Sequence, residues 1–138
     1  MRFMMIYKPT DTKDMEAGAA PCQDHLEEMG EFIGEMVRTG VLLQTDGLLA
    51  SSKGARVRLD RGKVTITDGP FTETKELIAG YAIVQVKSIE EAIGLAQRFL
   101  KVAGDGESEI RQMFDEPAFV AERIPGLGLP LVPGEVRP

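Results

Sequence analysis

His25 is the only histidine in a chain of 138 residues, and Cys22, the only cysteine, precedes it by three. On a helix that spacing puts both side chains on one face. A histidine titrates near neutral pH and can act as acid, base or ligand. A thiol near a helix N-terminus is stabilised as the thiolate. A Cys–His nucleophilic pair is therefore geometrically conceivable, but no third residue is assigned to orient it. The plainer alternative for His25 is a partly buried ring bonded to a carbonyl or a carboxylate. One His and one Cys do not make a typical zinc site. Carboxylates at Asp68, Glu73 and Glu76 have no diagnostic metal spacing. Neither a glycine-rich phosphate loop followed by lysine and a hydroxyl residue nor a serine-centred hydrolase elbow occurs. No metal and no cofactor is expected.

The second chemical candidate is the run Asp68-Gly69-Pro70-Phe71-Thr72-Glu73-Thr74-Lys75-Glu76. Asp can bond its own backbone and Gly tolerates positive φ, so the first two residues favour a turn. Pro70 restricts the chain further and biases Gly69 towards extended conformations. Phe71 reads as a core plug. The alternating hydroxyls and charges that follow could line a pocket for a small polar ligand. They equally suit an exposed extended strand, which alternates with period two.

These groups need elements to hold them. Arg2 to Lys8 reads as a strand, apolar without interruption from Phe3 to Tyr7, which suggests that both faces are covered. Pro9 to Ala20 reads as a loop. A helix is expected from about Pro21, with Leu26, Met29, Phe32, Ile33, Met36 and Val37 on one side and Gly40 after its C-terminus. Val41 to Gln44 is a short strand candidate, continued or bulged over Gly47 to Ala50. Ala55 to Leu59 and Lys63 to Thr67 form a hairpin around Asp60-Arg61-Gly62. Tyr81 to Val86 is a second central strand. Ser88 and Glu91 make a capping box for a second helix with Ile89, Ala92, Ile93, Ala96, Phe99 and Leu100 inward. Glu109 to Phe114 is the last strand, with Ile110, Gln112 and Phe114 on one side. The order matches an α+β sandwich of ferredoxin-like kind, with helices on one face of an antiparallel sheet. The other face would lie open, and pairing with a second copy would cover it.

Hydrophobic residues make up 43% of the chain, enough for one core without disulfides. The lone cysteine suits a reducing cytoplasm. Met1 to Lys8 is too short for a secretory leader, and no apolar stretch approaches the ~20 residues that span a membrane. A soluble, cytoplasmic protein with no membrane partner is expected. A net charge of -6 repels phosphate backbones, so nucleic acid is not expected as a partner. Arg56, Arg58, Arg61 and Lys63 read as a solvated ribbon face. Residues 1–116 form the domain. In the tail, 117–138, Pro117, Pro125, Pro130, Pro133 and Pro138 alternate with glycines, but Phe119, Ile124 and Leu127 give it apolar content. That segment is expected to pack on its own domain or on a partner subunit, with a short helical turn over Ala118 to Arg123.

The run from Asp68 to Glu76 closely resembles the signature of the DGPF (DGPFAETKE) proteins, with Thr72 where that signature has alanine. These are YCII-related proteins. The opening strand ending in Tyr7, the Gly40-Val41-Leu42-Leu43 helix exit, the Gly80-Tyr81 strand, the capped second helix and the Glu109-Ile110-Arg111 strand are similar too. The resemblance implies a dimeric α+β barrel of ferredoxin-like protomers with a small-molecule pocket near the dimer interface. It also implies a His–Asp pair as the active site. The histidine carries over to His25, although Pro21 to Leu26 is one residue longer than the family's Pro-x-x-His-Leu pattern. The helix exit Val37-Arg38-Thr39-Gly40 has no carboxylate, so Asp68 is the nearest substitute for the acid, with Asp46 behind it. The wider superfamily includes muconolactone isomerase-like enzymes, which implies isomerase- or lyase-like acid–base chemistry on an organic acid. The alternative is a non-catalytic regulatory or interaction module, which the acidic surface and the apolar tail favour; the resemblance adds that some DGPF proteins occur beside extracytoplasmic-function sigma factors.

Overall fold

Eight consecutive extended residues open the chain as β1 (Arg2–Pro9), followed by α1 (Lys13–Glu16), α2 (Gln23–Arg38) and β2 (Leu42–Gly47). A 3-10 turn at Ser51–Lys53 leads into β3 (Ala55–Asp60) and β4 (Lys63–Asp68). Then come β5 (Gly80–Gln85), α3 (Ile89–Ala103) and β6 (Gly106–Gln112). The computed structural model describes residues 1–71 and 77–115. The polar run 72–76 and the tail expected over 117–138 lie outside the described residues. The protein is a mixed α+β fold with antiparallel sheets.

The main sheet has the order β2-β5-β1-β6, with every neighbouring pair antiparallel. Side chains alternate across it. Phe3 and Met5 of β1, with Val84 across the ladder, face α3 and make the core with Val86, Ala92 and Ala96. Phe3 is 1% exposed, and full burial of such a ring contributes about 1.5–3 kcal/mol. Ala92 and Ala96 are small enough to let α3 lie close to the strands. The Phe99 ring of α3 makes a T-shaped pair with Tyr7 at 5.1 Å and tilts against Phe32 of α2 at 6.4 Å, which ties both helices to the same sheet face.

The caps follow the local chemistry. The Ser88 hydroxyl accepts the Glu91 N–H, and the Glu91 carboxylate reaches back to the Lys87 N–H, one residue before the cap. Gly40 takes φ 76° after α2, a conformation in which a Cβ is disfavoured. The β3–β4 hairpin turns through Arg61 and Gly62, both at positive φ, as a two-residue connection requires.

Several boundaries and faces differ from the sequence expectation. A single turn of helix, α1, interrupts the loop expected over 9–20. The last strand begins at Gly106 and ends at Gln112, because it follows the length of β1, and Phe114 beyond it is 73% exposed. On α2 the inward stripe is His25, Met29, Phe32, Ile33 and Met36; Leu26 and Val37 turn outward. On α3 Leu95 replaces Ile89 and Ile93 at the core, since the packing of Ala92 and Ala96 sets the helix's rotation. Met4 and Ile6, on the sheet face away from the helices, are half-buried.

Candidate functional site

A cavity of about 1100 Å³ opens between the helices and the sheet. It is at the upper end of the ~300–1000 Å³ usual for small-molecule sites. Its floor is the helix-facing side of the sheet, with Met5, Tyr7, Leu42, Ala82 and Val84. One wall is the inner stripe of α2: His25, Met29, Phe32, Ile33 and Met36. Leu95, Phe99 and Ala103 of α3 close another side. Two loop segments, one from Pro9 to Cys22 and one from Gly47 to Ala50, frame the mouth. α2 meets α3 through the Phe32–Phe99 ring pair.

Few polar groups interrupt the apolar lining. The Tyr7 hydroxyl donates to the carbonyl oxygens of Gly104 at 3.1 Å and Asp105 at 3.4 Å. Burial, and then the nearby Asp105 carboxylate, push its pKa up, so Tyr7 is a protonated donor at neutral pH. Ser108 sits opposite Tyr7 in the β1–β6 ladder, and its hydroxyl oxygen is buried without a hydrogen-bond partner among the described residues. Such an atom costs about 1–3 kcal/mol when left unsatisfied. No hydrogen bond or ion pair among the described residues engages the His25 ring.

The mouth is tied by Ser51. Its N–H donates to one carboxylate oxygen of Glu16 at 2.8 Å and its hydroxyl donates to the other, while the same hydroxyl oxygen accepts the Phe71 N–H at 2.9 Å. The hydroxyl and then the N–H hold the Glu16 carboxyl below the usual carboxylate range. Gly69 lies against this turn so closely that a Cβ there would overlap the Ser51 carbonyl oxygen. The Gly69–Pro70 peptide is cis, and the Arg56 guanidinium lies 4.0 Å over the Phe71 ring. The Asp68–Phe71 corner thus holds the Ser51 turn, which in turn holds the Pro9–Cys22 loop through Glu16.

The two residues singled out for catalysis are placed differently. His25 lines the cavity. Asp68 ends the exposed β4 strand and is not a wall of the cavity. Asp46 borders it, but its carboxylate accepts the Tyr81 hydroxyl at 3.1 Å, and that hydroxyl also accepts from Gln44 at 2.8 Å. Cys22 caps α2 through its backbone, and its thiol is free and exposed. Among the described residues, no three His, Cys, Asp or Glu side chains gather to hold a metal ion. Ser108 and the Ser51–Glu16 tie carry no local sequence signal. Each is defined by partners 20 or more residues away.

The hairpin stands apart from the main sheet. Val57 faces Ile66 and Leu59 faces Val64 across it, and all four are at least 58% exposed. Arg56, Arg58 and Lys63 occupy its opposite, polar side with Thr65 and Thr67. No helix among the described residues is long and apolar enough to cross a membrane.

Comparison with known proteins gives two findings. The family model described as YCII-related domain matches residues 1–116. An uncharacterised protein of Rhizobium meliloti (strain 1021), R00369, is 33% identical over 61 residues, covering 44% of this chain. The chain's match spans 49% of that relative's length.

Proposed function

The chain belongs to the YCII-related family, and from that premise we propose that it binds, and through His25 transforms, a small organic molecule in the cavity between its helices and sheet. The observation that carries this reading is the cavity of about 1100 Å³, lined by a histidine and a buried serine hydroxyl that have no hydrogen-bond partner among the described residues. A largely apolar lining with a few polar groups is the usual make-up of a small-molecule site, and the buried Ser108 hydroxyl offers a ligand one hydrogen-bonding point. His25 then has the freedom to move a proton at the ligand. Asp68 has no place in that chemistry, and it serves the corner that fastens the mouth.

The same reading makes the protomer ferredoxin-like and the working unit a homodimer. The strand order β2-β5-β1-β6, with α2 and α3 on one face, supports the first part. The exposed apolar side of the hairpin supports the second, since exposed apolar clusters mark association surfaces. The free, exposed Cys22 suits a cytoplasmic protein. A purely regulatory module would use the hairpin and leave the cavity without a role.

The test is native mass spectrometry of protein purified from its source, followed by extraction of bound small molecules. One organic molecule per protomer is expected, lost in Ala20→Trp, which obstructs the exposed mouth loop. Absence of any bound molecule, together with no stabilisation by a metabolite pool, defeats the reading.

A further inference from the structure

We propose that the cavity's ligand is an apolar molecule bearing a positively charged nitrogen, and that it is not an organic acid. The inference rests on the reading of the cavity as a binding site and names its ligand class.

Three aspartates, Asp11, Asp14 and Asp46, border the cavity, while no Lys or Arg among the described residues does. Ion pairs join Lys8, Arg98 and Arg111 to Glu107, Glu109 and Glu35, which are not among these aspartates. Asp46 is occupied by Tyr81. Asp11 accepts only the Lys13 N–H at 3.0 Å, and both Asp11 and Asp14 lie at the mouth. A carboxylate ligand would approach the Asp11 and Asp14 carboxylates and enter an apolar interior in which His25 is the only basic side chain among the described lining residues. Burying an anion without a partner is among the costliest events in a protein. An ammonium meets the opposite situation. The mouth attracts it, and the protein's net charge of -6 adds long-range attraction.

The interior suits the rest of such a molecule. Met5, Met29 and Met36 present polarisable thioethers that adapt to irregular shapes. Phe32 and Phe99 line the cavity as apolar aromatic surface, with the Arg98 guanidinium 5.3 Å over the Phe32 ring, so the cation is left to the mouth carboxylates. The buried Ser108 hydroxyl provides one neutral hydrogen-bonding point. The expected ligand is therefore a hydrophobic amine with one further polar group.

Isothermal titration of the full chain with three probes of one shape tests this: 2-naphthylmethylammonium, 2-naphthylmethanol and 2-naphthoate. The ammonium is expected to bind at least tenfold more tightly than the naphthoate, with the alcohol between them. Asp11→Asn/Asp14→Asn is expected to remove most of that preference and leave the alcohol's affinity unchanged, which also shows that the variant is folded. Equal or tighter binding of the naphthoate overturns the inference while the cavity stands as a binding site. Binding of none of the three at millimolar concentration overturns both. An ammonium preference that survives the double variant also overturns it, because the mouth carboxylates would then not be its source.

Discussion

Replacing Gly69 by alanine tests the role assigned to the Asp68–Phe71 corner. A Cβ at position 69 would overlap the Ser51 carbonyl oxygen and lie 2.5 Å from its carbonyl carbon and 3.1 Å from the Ser52 nitrogen. All three are backbone atoms, so no side-chain rotation relieves the clash. The Ser51 turn or the corner must move, and the bonds from Ser51 to Glu16 and Phe71 stretch with it. Forced displacement of packed atoms typically costs about 1–3 kcal/mol. At about 3–4 °C per kcal/mol for a chain of this size, that is a fall of roughly 3–12 °C in Tm. Gly30→Ala is the matched control. Gly30 lies within α2 with nothing within 4 Å of the position its Cβ would take. There alanine favours the helix by about 0.5–1 kcal/mol, so Tm should rise. Urea unfolding of both variants beside the parent measures the two opposite shifts. A Gly69→Ala variant within about 0.5 kcal/mol of the parent, the range ordinary for surface substitutions, would refute the close-packing argument.

Two further outcomes follow from local chemistry. Ser88→Ala removes the hydroxyl that accepts the Glu91 N–H at the start of α3 and should lower stability by about 1 kcal/mol in the same urea assay; Ser88→Asp should retain most of it. Acid should destabilise the fold through Glu109 and Glu16. Glu109 is held below the ordinary carboxylate range by Lys8 first and Arg111 second, Glu16 by Ser51. Their folded pKa values lie below the unfolded ones, so their contribution is complete above about pH 4.3–4.5 and fades as pH falls through the depressed values. Urea midpoints between pH 7 and pH 2.5 should therefore decline chiefly at the acid end, and less steeply in Glu16→Gln/Glu109→Gln. An unchanged acid slope in that variant would contradict the assignment.

The elements that the sequence makes legible are those coded by neighbours in the chain. The run Phe3 to Tyr7 and the Ser88–Glu91 cap are local patterns that appear where expected, and the connection expected over Asp60-Arg61-Gly62 tightens to Arg61 and Gly62, since Asp60 pairs with Lys63. Single-face assignments on helices are less legible, because periodicity fixes a stripe only to within one side chain. Leu26 and Val37 flank the true inner stripe of α2 and are exposed, as are Ile89 and Ile93 on α3. The site is legible in one residue, His25, through its rarity and its place on α2. The remainder depends on distant partners. Ser108 matters because β6 brings it opposite Tyr7, and Glu16 because Ser51 reaches it across 35 residues. The Asp68 corner was legible as a rigid turn, but nothing local shows that it fastens a loop and does not face the cavity.

The Ser51 hydroxyl, shared between Glu16 and Phe71, makes the Asp68–Phe71 corner and the rim of the cavity one mechanical unit. On the reading proposed above, lesions at Gly69, Pro70 or Phe71 change how fast a ligand enters and leaves, while the groups that would meet it inside keep their identities. Kinetic defects from that stretch would then show up in association and release rates, and any chemistry proposed for His25 would be preserved.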